Sequence, residues 1–423
     1  MKRAMIVGGG VVGTSAALAL QREGWAVTLL DRGAVGEGCS MGNAGHLGTA
    51  SVLPQATPAQ IRAIPRLLRD ADGPLVARWG YVLRELPWFV RFIANGNEAR
   101  MQANARALAA LMERVPESWE GLCAEASAAD LIRRTGLLHV WRGAAGFAAS
   151  AWAYDLRRRL GVRVEELDGP ATRRAEPALH MGIAGGRMLP DVPTVTDPLE
   201  LTRRIAARFL ALGGVVERAA VTDILREGNA ARGVRTLTGD MEAELVVLAA
   251  GAWSARLARP HGARVPVVAE RGYHIMLAGT NGVPRQPLLL AEARVAVTPM
   301  RGGLRLTSMA EFADPDAAPD HARAARVLNG AAAMLPNLGL PNLGLPGLDG
   351  EPESRWMGAR PSTPDSLPVI GHAPRTRGLI LAYGHGHLGM TLAGVTAEAV
   401  ADLAAGRPTR SDLAACAPGR RAA

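Results

Sequence analysis

Apolar and polar positions follow two rhythms along this chain, and both appear within the first thirty-one residues. Ala4-Met5-Ile6-Val7 is an unbroken apolar run, as expected of a short strand covered on both faces. Gly8-Gly9-Gly10-Val11-Val12-Gly13 follows at once. Residues 14–23 then take helical spacing, with the small side chains Ala16, Ala17 and Ala19 turned to the sheet, and Gly24 ends that helix. Residues 25–30 read as a second strand, which ends on Asp31.

Further on, residues 54–74 are broken by prolines, and residues 76–130 are dominated by helical spacing of Leu, Trp, Phe and Met. Strands are expected over 136–141 and 181–189, with a helix over 148–160 between them. Asp197-Pro198 caps an amphipathic helix to Leu212, where Gly213-Gly214 ends it. Short strands follow over 215–216, 221–225, 233–238 and 243–250. Residues 273–277, 295–298 and 304–308 alternate like half-buried antiparallel strands. A helix is expected over 317–335. A strand over 379–382 delivers Gly384-His385-Gly386-His387-Leu388-Gly389 into a last helix ending near Ala405. The pentad Pro336-Asn337-Leu338-Gly339-Leu340 recurs at once as Pro341-Asn342-Leu343-Gly344-Leu345, and reads as a surface-loop insertion.

The opening unit carries chemistry. In a G-x-G-x-x-G turn between strand and helix, one glycine permits the tight turn, one lets backbone approach a pyrophosphate, and one permits close helix–strand packing. The helix N-terminus offers N–H groups to the phosphates, and an acid at the end of the second strand, here Asp31, meets a ribose hydroxyl. The same order of elements argues against reading Met1-Lys2-Arg3 and the uncharged stretch after it as a secretion signal. Strand–glycine–helix elements recur near 249–254 and 379–405, so one cofactor domain assembled from separated segments is expected: residues 1–52, 194–260 and 355–423. Residues 53–193 and 261–354 are then an α+β substrate domain with a mainly antiparallel sheet.

Composition narrows the chemistry. The net charge of +9 is almost wholly arginine, because Lys2 is the sole lysine, and the arginines are dispersed. That excludes a lysine-dependent phosphate loop and a pyridoxal phosphate Schiff base, and it argues against a nucleic-acid surface while leaving weak attraction to anionic lipid. Cys39, Cys123 and Cys416 form no metal-ligand spacing and suit a reducing compartment, so no metal is expected. The location expected is cytoplasmic, with peripheral contact at the inner face of the membrane left open.

Several segments, taken together, resemble the FAD-dependent amino-acid oxidase and dehydrogenase family, within it the bacterial D-amino-acid dehydrogenases. They are the unit from Gly8 to Asp31, Ser40-Met41-Gly42-Asn43-Ala44-Gly45-His46, Leu248-Ala249-Ala250-Gly251-Ala252-Trp253-Ser254, Arg271-Gly272-Tyr273-His274, Arg301-Gly302-Gly303-Leu304-Arg305, Trp356-Met357-Gly358-Ala359-Arg360-Pro361-Ser362-Thr363-Pro364-Asp365, and the Gly384 turn through Met390-Thr391. The resemblance implies a Rossmann-like α/β FAD-binding domain. Its cofactor contacts would come from Gly8, Gly10, Val11, Val12, Gly13, Asp31, Arg32, Ser40, Asn43, Ala44, Gly45, Val221, Ala250, Gly251 and Trp253. Gly384, His385, Gly386, His387, Leu388, Gly389, Met390 and Thr391 would complete them, with one of the two histidines structural. Arg360 would grip the substrate carboxylate bidentately, with Tyr273, His274 and His46 beside the reacting centre. A D-amino acid, or a cyclic imino acid such as D-proline, would lose a hydride to the flavin, and the electrons would pass to a quinone or other respiratory acceptor. The absence of a second lysine argues for a dehydrogenase, although Arg, or protonated His46 or His274, could replace a lysine near the ring. An NAD(P)-dependent dehydrogenase, a flavin-binding subunit of a larger complex, and an oxidase of glycine or sarcosine type remain as alternatives.

Overall fold

The computed structural model describes residues 2–70, 73–278, 284–336, 341–345, 348–349 and 354–422 of the chain. Two large sheets organise it. The first has six strands in the order Val369–His372, Leu379–Tyr383, Leu245–Leu248, Arg3–Val7, Ala26–Asp31, Val215–Arg218. All its pairings are parallel except that of Val369–His372 with Leu379–Tyr383. Alternate residues of these strands point to opposite faces. Ala4, Ile6, Val27, Leu29, Leu245, Val247 and Ile380 meet the helices Val11–Arg22, Pro198–Ala211 and Gly389–Ala404. Met5, Val7, Leu30, Val246, Leu248, Leu379 and Leu381 instead meet Ile224, Ala231 and Val234 of a three-stranded antiparallel sheet. Cover on both faces explains the unbroken apolar runs.

The second sheet has nine strands and is largely antiparallel. Its path runs Ser354–Ser362, Val268–Leu277, Gly303–Phe312, Val295–Met300, Leu288–Leu290, Leu137–Trp141, Gly185–Leu189, Glu165–Asp168, with Leu75–Ala77 added alongside Gly303–Phe312. Val268–Leu277 begins five residues before the alternation predicts, because Glu270 and Arg271, charged and buried, each have an ion-pair partner, Arg360 and Glu311. Ser354–Ser362 has no counterpart among the predicted strands. It holds Gly358 and Pro361, and its terminal place in the sheet accommodates a proline.

Other differences have local causes. The proline-rich stretch contains a helix, Pro58–Arg69: Thr57 caps it through Gln60 N, Pro58 sits in its first turn, and Pro65 is accommodated inside it. The helix expected over 148–160 forms as Ala144–Ala149 and Ala151–Arg159, separated at Ser150, whose hydroxyl donates to Phe147 O. The helix expected over 317–335 forms over His321–Asn329. Of the tandem pentads, residues 337–340 lie outside the described residues, and Pro341–Leu345 pairs with Leu348–Asp349.

Candidate functional site

A cavity of about 1700 Å³ takes its walls from both large sheets, reaching from Gly8, Gly10 and Asp31 to Arg360 and Arg294. That exceeds the ~300–1,000 Å³ of an ordinary small-molecule pocket and suits a dinucleotide together with a substrate.

Backbone builds the first end. Gly8 has φ +113°, and a Cβ there would lie 2.4 Å from Ala249 O. A Cβ on Gly13 would lie 1.8 Å from Gly8 O, so Gly13 packs the helix onto the turn without itself reaching the cavity. Gly10 caps Val11–Arg22 with no side chain, and Val11 N donates to Ser40 Oγ at 2.9 Å. Asp31 accepts from Gly9 N at 2.6 Å and Gly33 N at 2.7 Å, which fixes its carboxylate on the cavity wall with lone pairs to spare. The guanidinium of Arg32 lies 3.8 Å from the Trp253 ring centroid and pairs with Asp316. Val12, Asn43, Ala44, Val221, Ala250 and Gly251 line the same cavity. Gly45, at φ +81°, lies behind it: a Cβ there would meet Val195 O at 2.4 Å. Arg305 holds the neighbouring loop by donating to Met41 O and Asn43 O, and burial lowers its pKa to about 10, still charged at neutral pH.

The C-terminal turn forms the next wall. Gly384 and Gly386 take positive φ, and His385, Gly386, His387, Leu388, Gly389, Met390 and Thr391 line the cavity while Gly384 sits beside Thr363. His385 is buried against Thr396 Oγ1 at 2.9 Å, and burial pushes its pKa down to about 4, so it is a neutral, structurally tied imidazole. His387 is open to the cavity and meets Gln55 at 3.0 Å; burial within the cavity walls lowers its pKa, Glu270 opposes and Arg360 adds to that. Thr391 Oγ1 accepts from Gly48 N at 2.8 Å.

Side chains from neighbouring strands build the far end. The register sets Glu270 directly opposite Arg360. Arg360 Nη1 donates to Glu270 Oε1 at 3.0 Å and to Met309 O at 2.9 Å, and its guanidinium lies over Gly272, where a Cβ would be 1.9 Å from Nη2. Ser362 Oγ donates to the other Glu270 oxygen. Arg360 therefore reaches the cavity with its charge balanced and with Nε and Nη2 free of protein partners among the described residues. His46 lines the cavity, meets Thr298 Oγ1 at 3.0 Å, and is pushed by burial to a pKa of about 4.

Tyr273 and His274 do not reach the cavity. Tyr273 is fully buried: its hydroxyl donates to Glu311 and accepts from Arg271 Nη2 and Asp320 N, and burial pushes its pKa up to about 12. His274 stacks on its cross-strand neighbour Trp356, ring centroids 5.1 Å apart, and burial pushes its pKa down to about 3. Trp356 takes the cavity-facing position itself, lying flat against Gly42 and Gly358. The protonated histidines expected as possible cations are thus neutral at physiological pH. Sequence reasoning gave no role to Glu270, Arg294, Arg305 or Trp356; Arg305 and Trp356 stand inside the resembling segments, and Glu270 could have been suspected from its place before Arg271-Gly272. Burial pushes the Cys39 thiol up to about 11, which disfavours a thiolate link to a cofactor.

The glycine turn, the uncapped helix N-terminus and the anchored Asp31 fit the ADP half of FAD, and the family comparison agrees. The model for FAD-dependent oxidoreductases of the D-amino-acid oxidase type matches residues 3–403. A D-amino-acid oxidase of Bradyrhizobium diazoefficiens is 35% identical over 421 residues, covering 98% of each chain. A D-amino acid dehydrogenase of Paramagnetospirillum magneticum is 32% identical over 96% of each. The crystal structure of glycine oxidase from Geobacillus kaustophilus superposes with a TM-score of 0.75 over the whole of both chains, at 24% identity, which bears on the fold alone. On this evidence the chain belongs to the FAD-dependent oxidoreductase family that includes D-amino-acid oxidase and is itself an FAD-dependent oxidoreductase.

Proposed function

We propose that the protein oxidises a D-amino acid, or a cyclic imino acid such as D-proline, to the imino acid, which, where the amine is primary, water converts to the 2-oxo acid and ammonia. The observation that carries this reading is Arg360, with free N–H groups, in the same cavity as the glycine turn and Asp31. FAD supplies the hydride acceptor when bound. Arg360 Nε and Nη2 then hold the substrate carboxylate and fix the α-carbon in register. Glu270 and Gly272 set the height and tilt of that guanidinium. A neutral amine already has the lone pair that drives hydride loss, so the site needs no strong base, and His46 stands on the wall as an uncharged imidazole. The turn at 384–389 directs N–H groups and the dipole of Gly389–Ala404 toward the cavity, where they would favour developing negative charge.

The same reading makes the enzyme a dehydrogenase that hands electrons to a quinone-type acceptor. Its sole lysine, Lys2, lies over Trp25, away from the cavity, and His46 and His274 are neutral. Trp79, Leu83, Leu86, Val90 and Ile93 form an exposed apolar stripe on helices whose opposite side puts Tyr81 and Trp88 on the cavity wall. Arg62, Arg66 and Arg69 lie on the adjoining helix. This pattern supports peripheral contact with an anionic membrane face; among the described residues no helix is long and apolar enough to cross one. Anaerobic bleaching of the flavin by D- but not L-amino acids, with turnover on a quinone analogue, is the expected result. Hydrogen peroxide released at the full turnover rate in air without an acceptor would overturn the dehydrogenase reading.

A further inference from the structure

Arg360 is not the only arginine at the substrate end of the cavity. Arg294, which precedes the strand Val295–Met300, lines the same wall. The two are tied to consecutive residues of Gly303–Phe312: Ser308 Oγ donates to Arg294 O at 2.8 Å, and Arg360 Nη1 donates to Met309 O at 2.9 Å. Arg294 has φ +53° and Met309 φ +72°, two non-glycine residues in the left-handed region side by side on one cavity wall. Such conformations are uncommon outside glycine, Asn and Asp, and they gather where a site holds a side chain in a required direction.

The two guanidinium groups differ in charge balance. Glu270 answers Arg360. Arg294 has no hydrogen-bonded or ion-paired side-chain partner among the described residues, and burial followed by the like charge of Arg66 lowers its pKa. Arg294 is half-buried, and a cation partly withdrawn from water near the like charge of Arg66 is stabilised by an anion that balances it. The FAD pyrophosphate is not that anion, because its cradle lies on the six-stranded sheet at residues 8–13, whereas Arg294 belongs to the nine-stranded one.

We propose that Arg294 anchors a second carboxylate, one carried by the substrate side chain, so that the enzyme prefers an acidic D-amino acid. This rests on the reaction proposed above, with the α-carboxylate on Arg360. D-Glutamate and D-glutamine differ little in size and shape, so their kcat/KM ratio isolates the charge; D-glutamate is expected to be favoured at least tenfold. Arg294→Gln should remove that preference by lowering kcat/KM for D-glutamate far more than for D-glutamine, with flavin content retained. Glutarate, a dicarboxylate that cannot be oxidised at an amine, should raise the melting temperature of the holoenzyme but not that of Arg294→Gln. Equal use of D-glutamine and D-glutamate, or a variant impaired alike on every substrate, would overturn the proposal. If no D-amino acid bleaches the flavin but glutarate stabilises the wild type alone, the anion site stands and the reaction reading falls. No glutarate effect on the wild type would count against the site itself.

Discussion

The two ends of the cavity are built on different principles. Around residues 8–13 and 31–45, main-chain geometry makes the surface: glycine carbonyls, uncapped N–H groups, and Asp31 held by two backbone donors. At the other end Arg360, Arg294 and Trp356 make it, with Glu270 set opposite Arg360, and His274 opposite Trp356, by the register of one strand on the next, and with Arg294 held through its carbonyl by Ser308. A backbone-built site depends on spacing within one short segment. A side-chain-built site depends on which distant residues a sheet sets opposite one another.

The sharpest way to break that comparison is at Gly13. Gly13→Val would drive a side chain into Gly8 O, which is backbone and cannot move aside cheaply. Loss of the flavin absorbance, or of the folded protein, is expected. Gly38→Ala, in the same cavity with nothing within 4 Å of the new methyl, should keep its flavin. If Gly13→Val bound flavin normally, backbone construction of this end would be refuted.

Arg360→Leu should have the next largest effect, and it tests two functions at once. It leaves Glu270, whose side chain is 6% exposed, without its ion-pair partner. Removing one partner of a buried pair costs about 3–5 kcal/mol. Adding Glu270→Gln should restore most of the melting temperature, while kcat/KM stays down by about tenfold or more. Recovery of activity along with stability would make Arg360 a structural residue.

Tyr273→Phe separates the site from the network behind it. The hydroxyl joins Glu311, Arg271 and Asp320 out of reach of the cavity. Its loss should cost about 1–3 kcal/mol of stability and change kcat/KM by less than about twofold. A large kinetic loss at unchanged stability would return Tyr273 to the reacting centre.

These residues also mark how far the sequence could be read. The opening strand–turn–helix–strand unit was legible because glycine spacing and an unbroken apolar run are local signals with few alternative meanings. Arg360 was legible through its resemblance motif, but not its partner: Glu270 is ninety residues earlier in the chain and meets it only through strand register. Tyr273 and His274 are adjacent in the sequence, so in a strand their side chains leave on opposite faces. One enters the Glu311 network and the other slides beneath Trp356, an outcome fixed by neighbours that no local pattern names. Arg294 had no motif at all.

The smallest effect expected concerns His46. Burial holds its pKa near 4, below the ordinary value of 6.5, so it is neutral across the physiological range. Its folded value lies below its unfolded one, and the unfolded chain therefore takes up the proton first on acidification. Stability is complete above pH 6.5 and declines as pH falls toward 4; from 6.5 to 5.5 the loss from this one group is roughly 1 kcal/mol. His46→Asn should flatten that part of the stability curve. It should leave the shape of the kcat/KM profile unchanged over the same interval, because a group that does not titrate there contributes no limb. A limb near 6.5 in the wild type that vanishes in His46→Asn would mean that the imidazole ionises during turnover, and would make this wall of the cavity an acid–base element instead of a neutral surface.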